Sequence, residues 1–205
     1  MDAVLHLCRY LSGTRQKGIM FHRYADRESH GAQIFHSASH PKDPEKLHPF
    51  AVWADSDYAG SETRHSTSAH VILLNGGPVG FRGALNKIMT LSTADAELLS
   101  AAEAAKEVIH IRLMMKEFGF PQFCDAPTVV YEDNQACIAL AHNLRSRKSA
   151  KHMEVRLRFL QEQVQAGIVR FAYVRTKEQL ADLFTKALPA ELFVYLRDRF
   201  MHDCL

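Results

Sequence analysis

Cysteine is scarce in these 205 residues. The four present, Cys8, Cys124, Cys137 and Cys204, are scattered and form no Cys-x-x-Cys pair, so neither a disulfide framework nor a thiolate zinc site is expected. They read as buried free thiols. Long apolar runs are missing too. None approaches the roughly 20 residues that cross a bilayer, and residues 1–9 carry neither the basic start nor the apolar stretch of a secretory leader. The expected setting is intracellular, not secreted, with no membrane partner. Nor does one sign of charge dominate: 25 Lys and Arg face 23 Asp and Glu, for a formal net charge of +2. The total therefore announces no polyanionic partner, and only local clustering can do so. What is plentiful is apolar content, 47%, enough for one substantial core.

Periodicity organises the rest. Leu5, Cys8 and Leu11 stand at helical spacing up to Ser12-Gly13-Thr14, which reads as a helix end, and a short strand is expected at 18–22. Residues 23–48 are polar and loop-like. Their His30, His36 and His40 have neither helical nor hairpin spacing, which argues against zinc. Residues 50–54 read as a core strand and 66–74 as a second, up to the hairpin signal Asn75-Gly76-Gly77-Pro78, with 79–82 and 87–91 returning as strands. Residues 92–118 form the most regular helix, with Leu98, Ala101, Ala105 and Val108 on one stripe, Ser92 or Thr93 as cap, and Gly119 and Pro121 as stop. A strand at 128–131, helices at 135–143 and 151–166, a strand at 168–175 and a helix at 177–186 follow. An antiparallel run followed by alternating strands and helices implies a mixed sheet packed by helices. Trp53 and Phe81 read as core aromatics, and Tyr58 as a ring at a site mouth.

Four carboxylates fall where this layout can bring them to one edge. Asp55 follows the first core strand, Asp133 follows the fourth, Glu97 lies in the first turns of the long helix, and Asp182 in the last helix of the sheet unit. Bare convergence of four such groups is unfavourable unless cations neutralise it. Oxygen-only ligands suit Mg²⁺ or Mn²⁺, and two such ions about 3.5–4 Å apart can activate a water against a phosphodiester. Against this, 23 acidic residues make a set of four easy to find, and spacing alone favours solvated surface charge. The dense basic cluster Arg145, Arg147, Lys148, Lys151, Arg156 and Arg158 reads either as a solvated helix face or as a phosphate-contacting surface.

Local words change the weighing of the carboxylates. Trp53-Ala54-Asp55-Ser56-Asp57-Tyr58-Ala59-Gly60 with Arg64-His65-Ser66-Thr67-Ser68 resembles the first catalytic strand and hairpin of the ribonuclease H domain in copia-type retrotransposon polyproteins. Leu91-Ser92-Thr93-Ala94-Asp95-Ala96-Glu97 is similar to that family's helix motif, Tyr131-Glu132-Asp133-Asn134-Gln135-Ala136 to its third, and Gln179-Leu180-Ala181-Asp182-Leu183-Phe184-Thr185-Lys186 to its fourth. Arg9-Tyr10-Leu11-Ser12-Gly13-Thr14 resembles the segment that joins the domain to a preceding reverse transcriptase. The resemblance implies an α/β ribonuclease H-like fold, a five-stranded mixed sheet with helices on both faces. It implies Asp55, Glu97, Asp133 and Asp182 as catalytic metal ligands for two Mg²⁺ or Mn²⁺ ions, and cleavage of the RNA strand of an RNA–DNA hybrid. Arg145, Arg147, Lys148 and Lys151 would contact nucleic acid, and the reverse transcriptase portion of the same polyprotein is the expected protein partner, in a cytoplasmic particle or the nucleus. The expected division is a joining segment at 1–48, the ribonuclease H domain at 49–190 and a helical tail at 191–205. Three points stay open. Asp57 shares a strand face with Asp55; Asp95 replaces the family's usual Glu; and residues 174–181 lack the histidine that cellular enzymes carry before the last aspartate, with His152 a substitute candidate. A different class of function is a catalytically inactive or domesticated fragment that binds nucleic acid or a protein partner.

Overall fold

The computed structural model describes residues 2–21, 50–58, 60, 64–87, 89–90, 92–143 and 151–203. An amphipathic helix, α1 (Asp2–Gly13), leads into the short strand β1 (Lys17–Ile19). The sheet then begins with β2 (Phe50–Asp57), β3 (Thr67–Leu74) and β4 (Gly77–Leu85). Asn75 and Gly76 both hold positive φ, 51° and 86°, the two left-handed positions of a tight hairpin turn whose twist matches its strands. The long helix α2 (Thr93–Glu117), β5 (Thr128–Glu132), α3 (Gln135–His142), α4 (Lys151–Gln165) and β6 (Val169–Tyr173) complete the layer. One helical turn, α5 (Asp182–Thr185), the helix α6 (Ala190–Arg197) and the strand β7 (Met201–Asp203) close the chain.

The five strands lie in the order β4-β3-β2-β5-β6. β2, β3 and β4 pair antiparallel, while β5 is parallel to both β2 and β6. This is the expected mixed sheet. Alternation divides its side chains between two cores. Val52, Ile72, Val130 and Phe171 pack against Ala101, Ala105 and Val108 of α2, Cys137 of α3, and Leu157 and Leu160 of α4. On the opposite face, Trp53, Val71 and Tyr131 meet Leu180, Ala181, Leu196 and Phe200. The Trp53 and Tyr131 rings stack there at 4.8 Å. The alanine-rich face of α2 lets its axis lie close to the sheet. At that contact the Ser100 hydroxyl donates to the carbonyls of Asp55 (2.8 Å) and Ala69 (3.0 Å), tying β2 and β3 to the helix. Ser92 caps α2, accepting from the Asp95 amide.

Several expectations need correction. The strand expected at 79–82 is part of a longer one, β4, that ends at Leu85, and the described residues of the return strand expected at 87–91 are not in a strand. Phe81 is not a core aromatic: β4 is an edge strand, and the ring is 69% exposed, stacked on Phe184 at 5.3 Å. Gly83 permits that contact between β4 and α5, because a Cβ there would lie 2.8 Å from the Phe184 carbonyl oxygen. The helix expected at 177–186 is a 3₁₀ turn, Thr176–Glu178, followed by the single turn α5. Gln179 breaks it. Its fully buried amide donates to the Ala54 carbonyl at 2.8 Å and so pulls the chain onto β2. Of the described thiols only Cys137 is buried; Cys8 is exposed and Cys124 half-exposed. Residues 23–48, with the three histidines, and Cys204 lie outside the described residues.

The first and last described strands meet. β1 pairs antiparallel with β7, Lys17 reaches Asp198 (3.3 Å) and Asp203 (3.0 Å), and Tyr10 packs edge-on against Phe193 at 5.7 Å. The tail expected to be helical is thus helix plus strand.

Candidate metal centre

Register brings the first two carboxylates together. Trp53 of β2 lies opposite Tyr131 of the parallel strand β5, and Asp55 and Asp133 each follow two residues later, at the carboxyl ends of adjacent strands. Glu97 comes down on the same edge from the first turns of α2. Oxygens of Asp55, Glu97 and Asp133 all lie within 4.8 Å of one another. Asp55 and Glu97 are buried, at 2% and 5% exposure, and Asp133 is half-buried. Asn134 fixes the turn that carries Asp133, since its side chain accepts from the amides of Ala136 and Cys137 and starts α3.

Asp182 approaches Asp55 from the other face of the sheet. Gln179 anchors its segment, the Thr185 hydroxyl donates to Asp55 Oδ2 at 2.6 Å, and Lys186 Nζ stands 2.9 Å from Asp182 Oδ1 and 3.5 Å from Asp55 Oδ2. The centre has two halves that share Asp55: a three-carboxylate group, and an Asp55–Asp182 pair bridged by an ammonium.

The protonation of these groups reflects negative charge gathered away from water. Burial, then the charges of Asp55 and Asp133, push Glu97 up to about 9. Burial also pushes Asp182 up to about 7, helped by Asp55 and opposed by Lys186. Burial works to lower Lys186, yet the charges of Asp55, Asp182 and Asp133 outweigh it and hold the ammonium above its ordinary value. A fifth carboxyl lies underneath. Glu132 is fully buried, its Oε1 accepts from the Asn134 amide at 3.2 Å, and its Oε2 has no hydrogen-bond partner among the described residues. Burial, then the charge of Glu97, hold it well above the usual carboxylate range. An all-oxygen donor set with this surplus of negative charge fits a hard divalent cation, which Asp55, Glu97 and Asp133 could hold directly.

Asp57, the competitor to Asp55, sits half-buried at the end of β2 and outside the three-carboxylate group. Asp95 lies in the first turn of α2, also outside it. His152 is exposed on α4. Lys151 is exposed at the start of that helix, whereas Arg145, Arg147 and Lys148 lie outside the described residues. Glu132, Gln179, Thr185 and Lys186 had no assigned role in the sequence reading. Two carried a usable signal: Lys186 follows Asp182 by four residues, the spacing of helical ion pairs, and Glu132 shares a strand face with Val130.

No protein-family model matches the chain. Over 142 residues, 69% of its length, it is 32% identical to the Retrovirus-related Pol polyprotein from transposon TNT 1-94 of Nicotiana tabacum. Over 194 residues, 94% of its length, it is 27% identical to the Retrovirus-related Pol polyprotein from transposon RE1 of Arabidopsis thaliana. The Transposon Ty1-JR2 Gag-Pol polyprotein of Saccharomyces cerevisiae matches 98% of the chain at 20% identity. The chain spans 10–12% of the length of these relatives. Among solved structures, LC11-RNase H1 in complex with RNA/DNA hybrid superposes with a TM-score of 0.51 at 11% identity, covering 66% of this chain and 93% of that one. LC11-RNase H1 isolated from compost gives 0.51 at 13% identity, covering 68% and 94%.

Proposed function

Because the chain is related to retrotransposon Pol polyproteins and carries the ribonuclease H fold, we propose that it is a metal-dependent endonuclease that hydrolyses the RNA strand of RNA–DNA hybrids. The observation that carries this reading is the convergence of Asp55, Glu97 and Asp133 within 4.8 Å, with Asp182 beside Asp55. Asp55, Glu97, Asp133 and Asp182 would hold two Mg²⁺ or Mn²⁺ ions, which when bound supply an activated water and stabilise the leaving oxygen. No side-chain nucleophile is then required.

The chain's own groups orient the ligands. Thr185 and the end of β2 fix Asp55, the cap at Asn134 fixes the turn bearing Asp133, and Gln179 holds the approach to Asp182. Lys151, with Arg145, Arg147 and Lys148, would contact backbone phosphates, so the duplex would be held by shape with little reading of base sequence. In this reading residues 49–190 are the catalytic unit, 1–48 the joining segment and 191–205 the tail of a copia-type polyprotein. The reverse transcriptase portion is the neighbour, and the setting is a cytoplasmic particle or the nucleus.

The test is incubation of the purified chain with labelled RNA–DNA hybrid, double-stranded RNA and single-stranded RNA, with Mg²⁺, Mn²⁺ or chelator, beside Asp133→Asn. The expected result is cleavage of the hybrid's RNA strand alone, lost with chelator and in the variant. Hybrid binding by folded protein without cleavage would replace this reading with that of an inactive or domesticated fragment.

A further inference from the structure

The two halves of the centre differ in what already occupies them. No described ion pair reaches Glu97 or Asp133, whereas the space between Asp55 and Asp182 holds the Lys186 ammonium, 3.5 and 2.9 Å from the two carboxylates. Both aspartates are 2% exposed, so water screens their repulsion poorly, and a positive charge between them offsets it. A divalent ion bridging the same oxygens at about 2.0–2.1 Å would need the space in which Nζ now sits.

We propose that Lys186 is a built-in counter-cation standing in the place of the second metal ion: it neutralises the Asp55–Asp182 pair until that ion loads, and so makes the second ion bind more weakly than the first. This inference rests on the metal-site reading above. The side chain suits the role. Its amide donates to the Asp182 carbonyl at 3.3 Å, which keeps the backbone in register with α5. Its stem is flexible, and the side chain is 32% exposed, so the ammonium can withdraw toward solvent without dragging the backbone. Thr185, by contrast, carries no charge and donates to Asp55 Oδ2 from beside the ammonium. Loading is thus an exchange of one positive charge for two. The ion at Asp55, Glu97 and Asp133 enters first, because the ammonium contacts only one of its three carboxylates, and at the longer distance of 3.5 Å.

The measurement is a Mn²⁺ titration of the full chain without nucleic acid, by calorimetry and by the electron paramagnetic resonance signal of free Mn²⁺, for wild type, Lys186→Met, Lys186→Gln and Lys186→Arg. Wild type is expected to bind one ion tightly and a second more weakly. In the Met and Gln variants the second ion should tighten about tenfold or more, because the competing charge has gone, with the first little changed. The Arg variant should keep the wild-type inequality. Two neutral variants are titrated, with circular dichroism of each, so the result does not hang on the folding of one. Second-ion binding that is unchanged or weaker in the folded neutral variants overturns the role of Lys186 alone. Absence of any Mn²⁺ binding by wild type overturns the metal-site reading as well, and is seen before any variant is compared.

Discussion

At the scale of single residues, a carboxyl group inside a protein is tolerable when it is neutral, paired or bound to a cation, and Glu132 has been left to the first of these. Its Oε1 accepts one amide and its Oε2 meets no donor among the described residues, beneath Glu97 and Asp133. Glutamine has the same shape and keeps the accepting oxygen, so Glu132→Gln is expected to leave metal-free stability nearly unchanged at acidic pH. Relative to wild type it should raise stability as pH climbs above the ordinary carboxylate range, because the wild-type group, held well above that range by burial and the charge of Glu97, must take up a proton to fold; thermal melts at pH 5 and pH 9 check this. Thr185 makes the opposite case. Its hydroxyl bonds directly to Asp55, 2.6 Å away, and orients a carboxylate shared by both halves of the centre. Thr185→Val preserves the shape and removes the donor. A fall of about 10–100-fold in Mn²⁺ affinity or in hybrid cleavage is expected, as for other groups that orient a metal ligand. Unchanged affinity and rate would show that Asp55 is held by its backbone alone.

At the scale of elements, legibility followed the strength of the local pattern. The 25-residue α2 carries an alanine stripe, a serine cap and a glycine stop, and these signals placed it to within a residue or so. The core strands and the Asn75-Gly76 turn were equally plain, and so were the sequence positions of Asp55, Glu97 and Asp133, because each falls at the start or end of a regular element. Convergence itself was not legible, since it depends on which strands are neighbours. The three-residue strands β1 and β7 are too short for any period, so their pairing was invisible. The segment 177–186 misled for a different reason. Leu180, Leu183 and Phe184 keep helical spacing, yet a long-range hydrogen bond from Gln179 to Ala54, across 125 positions, overrides local preference. That bond connects β2 to the segment bearing Asp182. Gln179→Ala should therefore cost about 1–3 kcal/mol by leaving the buried Ala54 carbonyl unsatisfied, measured by urea denaturation. A loss under a few tenths would mean that the apolar contacts of Leu180 and Ala181 hold α5 unaided.

For the whole molecule, the acidic centre couples folding to protons, and a divalent ion held there would be coupled to both. Unfolded carboxyls titrate near 4, whereas Glu97 and Asp182 in the fold hold their protons up to about 9 and about 7. Between those limits the native chain binds more protons than the unfolded chain, so metal-free stability must fall as pH rises. The fall begins above the ordinary carboxylate range and continues through the values of Asp182 and then Glu97; the contribution is fully present only at acidic pH. A bound divalent ion reverses the preference, because it favours the carboxylates that high pH supplies, and loading releases protons wherever those groups were still protonated. The metal-free protein is thus expected to melt at progressively lower temperature from pH 5 to pH 9. Saturating Mn²⁺ should raise the melting temperature at every pH in that range, and by more at pH 8 than at pH 6. A metal-free melting temperature that rises over the same range would mean that the charge gathered at this edge is already neutralised by groups other than protons, and a Mn²⁺ increment independent of pH would mean that the ion binds away from Glu97 and Asp182.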